Sequence, residues 1–399
     1  MKKKPNQIRV GLIGTGWMGF AHSHAFRNAA TWYNLPVKLV MKVVCSRSEK
    51  TVAAFANRFD WEETETDWRK VVAREDVDLV CVATPGDSHA DIAIEAAKHG
   101  KHILCEKPLA NSLAEAERMK EAAVAAGVRH CCGYSYRFTP ATALAARFVR
   151  EGRLGRIFHV HARYAQDWPA SPDFPMVWRF DKSVAGSGSL GDICAHSIDT
   201  THFISGLHFE EVVGGLQTLI PERPLRTSKS KGQRAKVTVD DVAQFLCRFK
   251  EGATGCFEAT RMATGRKCHN CIEINGEMGA LYWDFEEQNY LYFYDGSRPA
   301  IEQGFAKINA THDDHPYGGG PWAQGHGIGY ADTFIIEVAE FVKAIVAGDE
   351  FHPDFADGVR VQRVLDAVEK SAVERRWITV TSDAGAPASN RARRGRALV

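Results

Sequence analysis

The chain carries almost no net charge: 50 Lys and Arg against 49 Asp and Glu leave +1 at pH 7. That balance gives no electrostatic footprint for nucleic acid or for an anionic membrane surface. No run approaches the roughly 18 apolar residues of a membrane span. The basic start, Met1 to Lys4, lacks the separate apolar segment of a signal peptide, because the next apolar run already reads as a strand. A cytoplasmic protein is expected. The ten cysteines do not form a disulfide framework. Cys45, Cys81, Cys105, Cys247 and Cys256 sit inside apolar, strand-like runs, as small core residues of a reducing compartment do. Cys268 and Cys271 form a C-x-x-C with no second pair at finger spacing, so no metal site is expected. No internal repeat is visible.

What the sequence does have is an ordinary globular composition, 45% hydrophobic and 25% charged, over 399 residues, enough for two domains. Residues 8–19 read IRVGLIGTGWMG. A buried strand, then Gly14, Gly16 and Gly19 spaced G-x-G-x-x-G, then a helical pattern is the context a dinucleotide fingerprint requires. Gly14 permits the tight turn, Gly16 lets a pyrophosphate approach the backbone, and Gly19 lets helix and strand pack closely. The helix N-terminus offers free N–H groups to the phosphates.

Further strands follow at Val37–Cys45, Val77–Thr84, His102–Cys105 and Val128–Tyr134, alternating with helical patterns. This predicts a doubly wound Rossmann domain over 1–133. Where a ribose-binding carboxylate is expected at the end of the second strand, Ser46, Arg47 and Ser48 stand instead. An Arg beside a hydroxyl residue holds a 2′-phosphate, which tips the expectation slightly toward NADP over NAD; an Arg stacked on adenine would serve either. Thr84-Pro85 and Glu106-Lys107-Pro108 are delivered to the same carboxyl edge. Ser88 and Asn111 are read as caps of the helices that follow them.

Beyond residue 150 the pattern turns to strands separated by turns, at 156–164, 211–220, 242–250, 254–261, 271–275, 280–285 and 289–295. A large, mostly antiparallel open sheet in an α+β domain over 134–380 is expected. Within it, 191–204, 332–346 and 356–375 read as helices, 377–380 as a last strand, and 221–236 as a solvated basic loop. Residues 381–399 read as a disordered tail.

Asp192 and His196, in G-D-x-x-x-H, are four apart and share a helix face. A neutral imidazole can take a hydroxyl proton as hydride leaves the same carbon, and a carboxylate beside it can orient the ring. The rate of oxidation is then expected to rise near pH ~6.5, where an unperturbed imidazole titrates. Lys107 can polarise the reacting oxygen. Gln166, Asp167 and Trp168 can present an amide, a carboxylate and a ring to a polyol.

The fingerprint, the E-K-P and the G-D-x-x-x-H, in this order with the change of pattern between them, resemble the glucose–fructose oxidoreductase, inositol dehydrogenase and MocA family of oxidoreductases over nearly the whole chain. The resemblance implies Lys107, Asp192 and His196 as the catalytic trio. It implies cofactor contacts from Gly14, Gly16, Trp17, Met18, Ser46, Arg47, Thr84, Pro85, His89, Glu106, Lys107, Trp178 and Arg179. Substrate contacts are expected from Lys107, Arg137, Gln166, Trp168, Asp192, His196 and Tyr317. The Gly-rich loop holding His315 to Tyr317 and Trp322 to His326 is expected near the site. The family's activity implies an NAD(P)-dependent dehydrogenase for a secondary hydroxyl of a sugar, glycoside or cyclitol, such as an inositol or a levoglucosan-like ring, including sugar C3. The alternative is a glycoside hydrolase or lyase that retains NAD and oxidises C3 transiently. A homodimer or homotetramer joined through the second sheet is also implied.

Overall fold

The computed structural model describes residues 6–226, 232–320 and 322–381. The proposed tail therefore lies almost wholly outside the described residues. The chain opens with a parallel sheet of β1 (Gln7–Ile13), β2 (Lys38–Cys45), β3 (Glu63–Glu65), β4 (Leu79–Val82), β5 (His102–Cys105) and β6 (His130–Cys132), in the order β3-β2-β1-β4-β5-β6. Period-two alternation makes both faces apolar. Ile8, Val10, Leu12, Leu79, Cys81 and Leu104 enter one core. Ile13, Val80, Val82, Ile103 and Cys105 enter the other. The helices α1 (Trp17–Trp32), α2 (Glu49–Phe59), α3 (Trp68–Val72), α4 (His89–Lys98) and α5 (Leu113–Ala125) connect the strands. Strand order reverses between β1 and β4, which opens a crevice at their carboxyl ends.

Local chemistry sets the helix starts. Ser48 accepts from Thr51 N at the head of α2. Ser112, not Asn111, caps α5 through Glu115 N, because Asn111 Nδ2 donates instead to Val184 O at 3.0 Å. Ser88 begins α4 without capping it; its hydroxyl turns to Thr84 Oγ1 at 2.8 Å. The short β3 and α3 escape sequence reading because neither is long enough to show a period.

After α6 (Pro140–Arg150), β7 (Ile157–Ala165) starts a second sheet. α7 (Lys182–Ala185) and α8 (Ala195–Ser205) precede β8 (Phe209–Gln217). β9 (Glu222–Pro224) and β10 (Arg234–Lys236) pair antiparallel apart from the large sheet, so the segment expected to be a solvated loop contains two short strands. Its Arg223 is fully buried, donating to Pro169 O at 2.8 Å and Ser171 O at 3.1 Å with its guanidinium 4.3 Å from the Phe180 ring. A buried arginine bonded to loop carbonyls leaves no apolar signature in sequence. β11 (Val242–Phe249), β12 (Thr254–Thr260), β13 (His269–Gly276), β14 (Gly279–Asp284), β15 (Tyr290–Asp295), β16 (Phe305–Asn309) and β17 (Ile378–Thr379) complete a nine-stranded sheet, ordered β16-β15-β14-β13-β7-β12-β11-β8-β17. Only β7 and β12 run parallel; the other neighbours are antiparallel.

One face of this sheet is core and the other is not. Along β11, Ala243, Phe245, Cys247 and Phe249 are buried while Gln244, Leu246 and Arg248 are exposed. The buried face continues into the core of β4, β5, α4 and α5. Late helices return to the first sheet. α9 (Tyr330–Ala347) packs on α1 and shares its core, and α10 (Phe355–Glu374) packs on β8 and α5. No helix among the described residues is long and apolar enough to cross a membrane.

Candidate active site

A cleft of about 1310 Å³ runs along the carboxyl edge of the parallel sheet to the mouth of the second sheet. At one end the glycine turn forms its floor. Gly14 adopts φ +112°, and a Cβ there would meet Ala83 O at 2.4 Å. A Cβ on Gly19 would meet Gly14 O at 2.1 Å, whereas one on Gly16 would meet nothing within 4 Å. Gly16 is the N-cap of α1, with no side-chain cap and no acidic residue in the first turn. The first N–H groups of α1 therefore face open space, the arrangement that takes a pyrophosphate. Trp17 and Met18 line this end, with Ser46, Arg47 and Ser48 at the rim and no carboxylate among them. These residues fit a nicotinamide dinucleotide.

Thr84, Pro85 and His89 form the facing wall. His89 is buried, its ring nitrogens 2.9 Å from Thr84 O and 3.1 Å from Pro108 O, so it ties the β4 edge to the E-K-P loop. Glu106 is buried against His22, with Oε1 2.7 Å from His22 Nε2, and its Oε2 accepts from Lys107 N at 3.2 Å. Lys107 reaches across to the second half of the chain. Its Nζ donates to Asp192 O at 2.5 Å and lies 3.3 Å from Asp192 Oδ1.

Asp192 sits in a π-helical turn, Leu190–Cys194, that runs into α8. Among the described residues no hydrogen bond joins it to His196, contrary to the expectation from their spacing. The wider turn sends the carboxylate to Lys107 and, through Oδ2, to Arg261 Nη2 at 2.7 Å. Burial alone would raise the Asp192 carboxyl, but Lys107, Arg261 and Arg179 together hold it well below the usual carboxylate range. His196 sits among three tyrosine rings, close to perpendicular to Tyr136 and Tyr134 with centroids 4.7 and 6.1 Å away and tilted against Tyr164 at 6.0 Å. Its Nδ1 is buried without a partner, which leaves Nε2 for the cleft. Burial, then the Lys107 charge, push the imidazole well below its ordinary value, against a smaller opposing pull from Asp192. The ring is thus neutral across the whole neutral range, and the expected rate change near pH ~6.5 gives way to one at lower pH.

The remaining wall is a hydrogen-bonded row. Trp168 Nε1 donates to Gln166 Oε1 at 3.2 Å, Gln166 Nε2 lies 3.5 Å from Tyr164 OH, and the Tyr164 and Tyr136 hydroxyls are 2.7 Å apart. Cys268 Sγ, 3.2 Å from Tyr164 OH, also lines the cleft, and burial pushes its thiol up. Trp178 and Arg179 lie on a 3-10 turn at the same wall, the guanidinium 4.4 Å from the indole. Tyr330, at the head of α9, stacks 6.0 Å from Trp17.

Other expected positions fall elsewhere. Arg137 does not line the cleft. It is buried in an ion-pair group, 2.8 Å from Asp199 Oδ2 and 3.5 Å from Asp357 Oδ2, joining α8 to α10. Tyr317 packs against Phe138 at 6.0 Å with φ +59°, outside the cleft. The loop of Trp322 and His326 lines a separate small hollow beside Tyr33, with Trp322 edge-on to Trp32. Asp167 is held by Lys267 at 2.8 Å and does not line the cleft, although its neighbours do. Arg261, Tyr136, Tyr164 and Tyr330, which also line the cleft, carry no expectation from sequence, and Cys268 carries only its C-x-x-C. Arg261 has no local signal beyond ending a strand.

A dinucleotide floor, a buried neutral imidazole and a lysine–carboxylate pair in one cleft define an oxidoreductase that uses a nicotinamide dinucleotide. Models of two domains match: "Oxidoreductase family, NAD-binding Rossmann fold" over residues 8–134 and "GFO/IDH/MocA C-terminal domain" over residues 142–282. The chain belongs to the GFO/IDH/MocA oxidoreductase family. Levoglucosan dehydrogenase of Pseudarthrobacter phenanthrenivorans is 41% identical over 94% of this chain and 98% of its own length. A structure of levoglucosan dehydrogenase with NADH and levoglucosan superposes with a TM-score of 0.90 at 41% identity, covering 94% of this chain and all of that one. An oxidoreductase domain protein from Kribbella flavida is 49% identical with a TM-score of 0.92, over 95% of this chain and 100% of that one.

Proposed function

We propose that the protein oxidises a secondary hydroxyl of an unphosphorylated pyranose-like ring or cyclitol, with levoglucosan-like rings first among candidates. The observation that carries this reading is the convergence of Lys107, Asp192 and the unpaired face of His196 on a cleft whose wall is aromatic and amide-bearing. Aromatic faces suit the C–H faces of a sugar ring, and the amide of Gln166 suits its hydroxyls. Likeness to levoglucosan dehydrogenase along almost its full length supports the same class. When bound, the nicotinamide accepts the hydride. His196 Nε2 takes the hydroxyl proton, and the Lys107 ammonium stabilises charge growing on the oxygen. Asp192 holds that ammonium in place.

Three finer readings belong here. With no carboxylate at the rim beside Arg47, a 2′-phosphate is tolerated, which favours NADP as a second or better cofactor. The exposed face of the second sheet, with Leu246 51% exposed, favours pairing of two copies as a homodimer or homotetramer. The ten cysteines are all free, in keeping with a cytoplasmic location. A cofactor-reduction screen over inositols, hexoses, anhydrosugars and glycosides tests the main reading. Accumulating NADH or NADPH supports it; glycoside cleavage without net reduction would replace it with the hydrolase or lyase.

A further inference from the structure

Arg261 is a side chain with no exposed surface that the chemistry above leaves unexplained. It enters from the end of β12, and its backbone N–H donates to Asp241 O at 3.0 Å. Nη2 donates both to Asp192 Oδ2 at 2.7 Å and to Gly188 O at 3.2 Å. The same segment is held a second time by Asp240, which accepts from Gly188 N at 2.7 Å, Ser189 Oγ at 2.6 Å and Leu190 N at 2.8 Å. A Cβ on Gly188 would lie 1.7 Å from Asp240 O, so the turn sits flush on the sheet. The π-helical turn carrying Asp192 is thus fastened at its start by Asp240 and at its carboxylate by Arg261.

We propose that Arg261 is a positioning residue for the reaction: by holding Asp192 Oδ2 it turns Oδ1 toward Lys107 and keeps the carboxylate off His196. This rests on the dehydrogenase reading given above. A carboxylate with one oxygen fixed by a guanidinium cannot swing to the imidazole four residues on. Were it free, it would pair with the imidazolium, favour that form, and release Lys107 from its place. The groups that face His196 are Asp192 from its own segment, Lys107 from the E-K-P loop, Tyr134 and Tyr136 from the segment after β6, and Tyr164 from β7. Arg261 and Arg179 act on it only through Asp192. The burial and charge that keep the imidazole neutral agree with this placement.

The test is a double-mutant cycle of Arg261→Gln and Asp192→Asn, with turnover of the best ring substrate followed from pH 5 to 9. Arg261→Gln should shift the acid limb of turnover upward by about 1 pH unit, the size of effect a newly available opposite charge produces. Adding Asp192→Asn should abolish that shift. Arg261→Lys should restore most of the wild-type limb. If Arg261→Gln fails to fold, the double variant still decides, because it removes both partners of the Arg261 contact and, like Asp192→Asn itself, leaves Lys107 without that carboxylate, so the comparison isolates Arg261. It should match Asp192→Asn in turnover within about twofold, as residues acting through one contact do. A Gln variant with the wild-type limb, or a double variant much slower than Asp192→Asn, would overturn the proposal. Histidine ring titration by NMR in the same NAD-bound proteins, with His196 assigned through His196→Gln, reads the shift without turnover. If wild type binds NAD and oxidises no ring, the functional reading fails alone, and the ring titration still settles the role of Arg261.

Discussion

The two ends of the cleft are built in different ways. The dinucleotide end is made by one continuous segment, Ile8 to Gly19, and works through its backbone: a positive φ at Gly14, empty space at Gly16 and uncapped N–H groups of α1. The ring end is made by side chains from segments far apart in sequence, Lys107, Arg261 and the stretch carrying Asp192 and His196, with Asp192 held between Lys107 and Arg261 and His196 seated among tyrosines. Backbone jobs need particular residue types at fixed spacing, so they leave a motif. Side-chain jobs are settled by partners across the fold, so the same residue can be identified correctly and its partner wrongly.

If this division is right, damage to the ring end should stop chemistry and spare cofactor binding. His196→Ala should therefore lower turnover by about 10² to 10⁴, the share of general acid–base catalysis, while affinity for NAD measured by fluorescence barely changes. Lys107→Met should lower turnover by about 10² to 10³ and also raise KM, because the ammonium acts on the oxygen in ground and transition states alike. An unchanged KM would confine Lys107 to the transition state.

The converse variant attacks the other end. Gly16→Val should fold with an unaltered melting temperature, since nothing in the protein meets the new Cβ, yet bind NAD about 10- to 100-fold more weakly by overpacking the phosphate site. Tight binding would contradict the fingerprint. The smallest expected effect is at the rim. Arg47 is exposed, so Arg47→Ala should weaken NADP by only about two- to fivefold, the range of a screened pair, and NAD less. Equal loss for both cofactors would show that Arg47 stacks on adenine.

The same division explains what was legible in the sequence. Both sheets, their order along the chain and the late helices follow from alternation and 3.6-residue periods. The cofactor end follows from its glycines. Arg137 was misplaced because a lone Arg after a Rossmann strand reads alike whether it faces a ligand or, as here, Asp199 and Asp357. Tyr317 was misplaced because the course of a glycine-rich loop is set by what it packs on, here Phe138. The link from Asp192 to Arg261 was invisible for two reasons. It joins residues 69 apart in sequence, and a π-helical turn breaks the i, i+4 rule that joined Asp192 to His196.

The central claim is that His196 is the base and is already neutral at neutral pH. The direct measurement is turnover against pH from 5 to 10 for wild type, His196→Ala and Lys107→Met with saturating cofactor and ring substrate. The account predicts no ionisation near pH ~6.5 in wild type, because burial and Lys107 hold the imidazole below that value, and an acid limb beneath it. Removing the Lys107 charge should raise that limb while lowering the plateau, and His196→Ala should be slow at every pH. Near-normal turnover in His196→Ala, together with loss of the whole pH dependence in Lys107→Met, would make Lys107 the base and contradict the account.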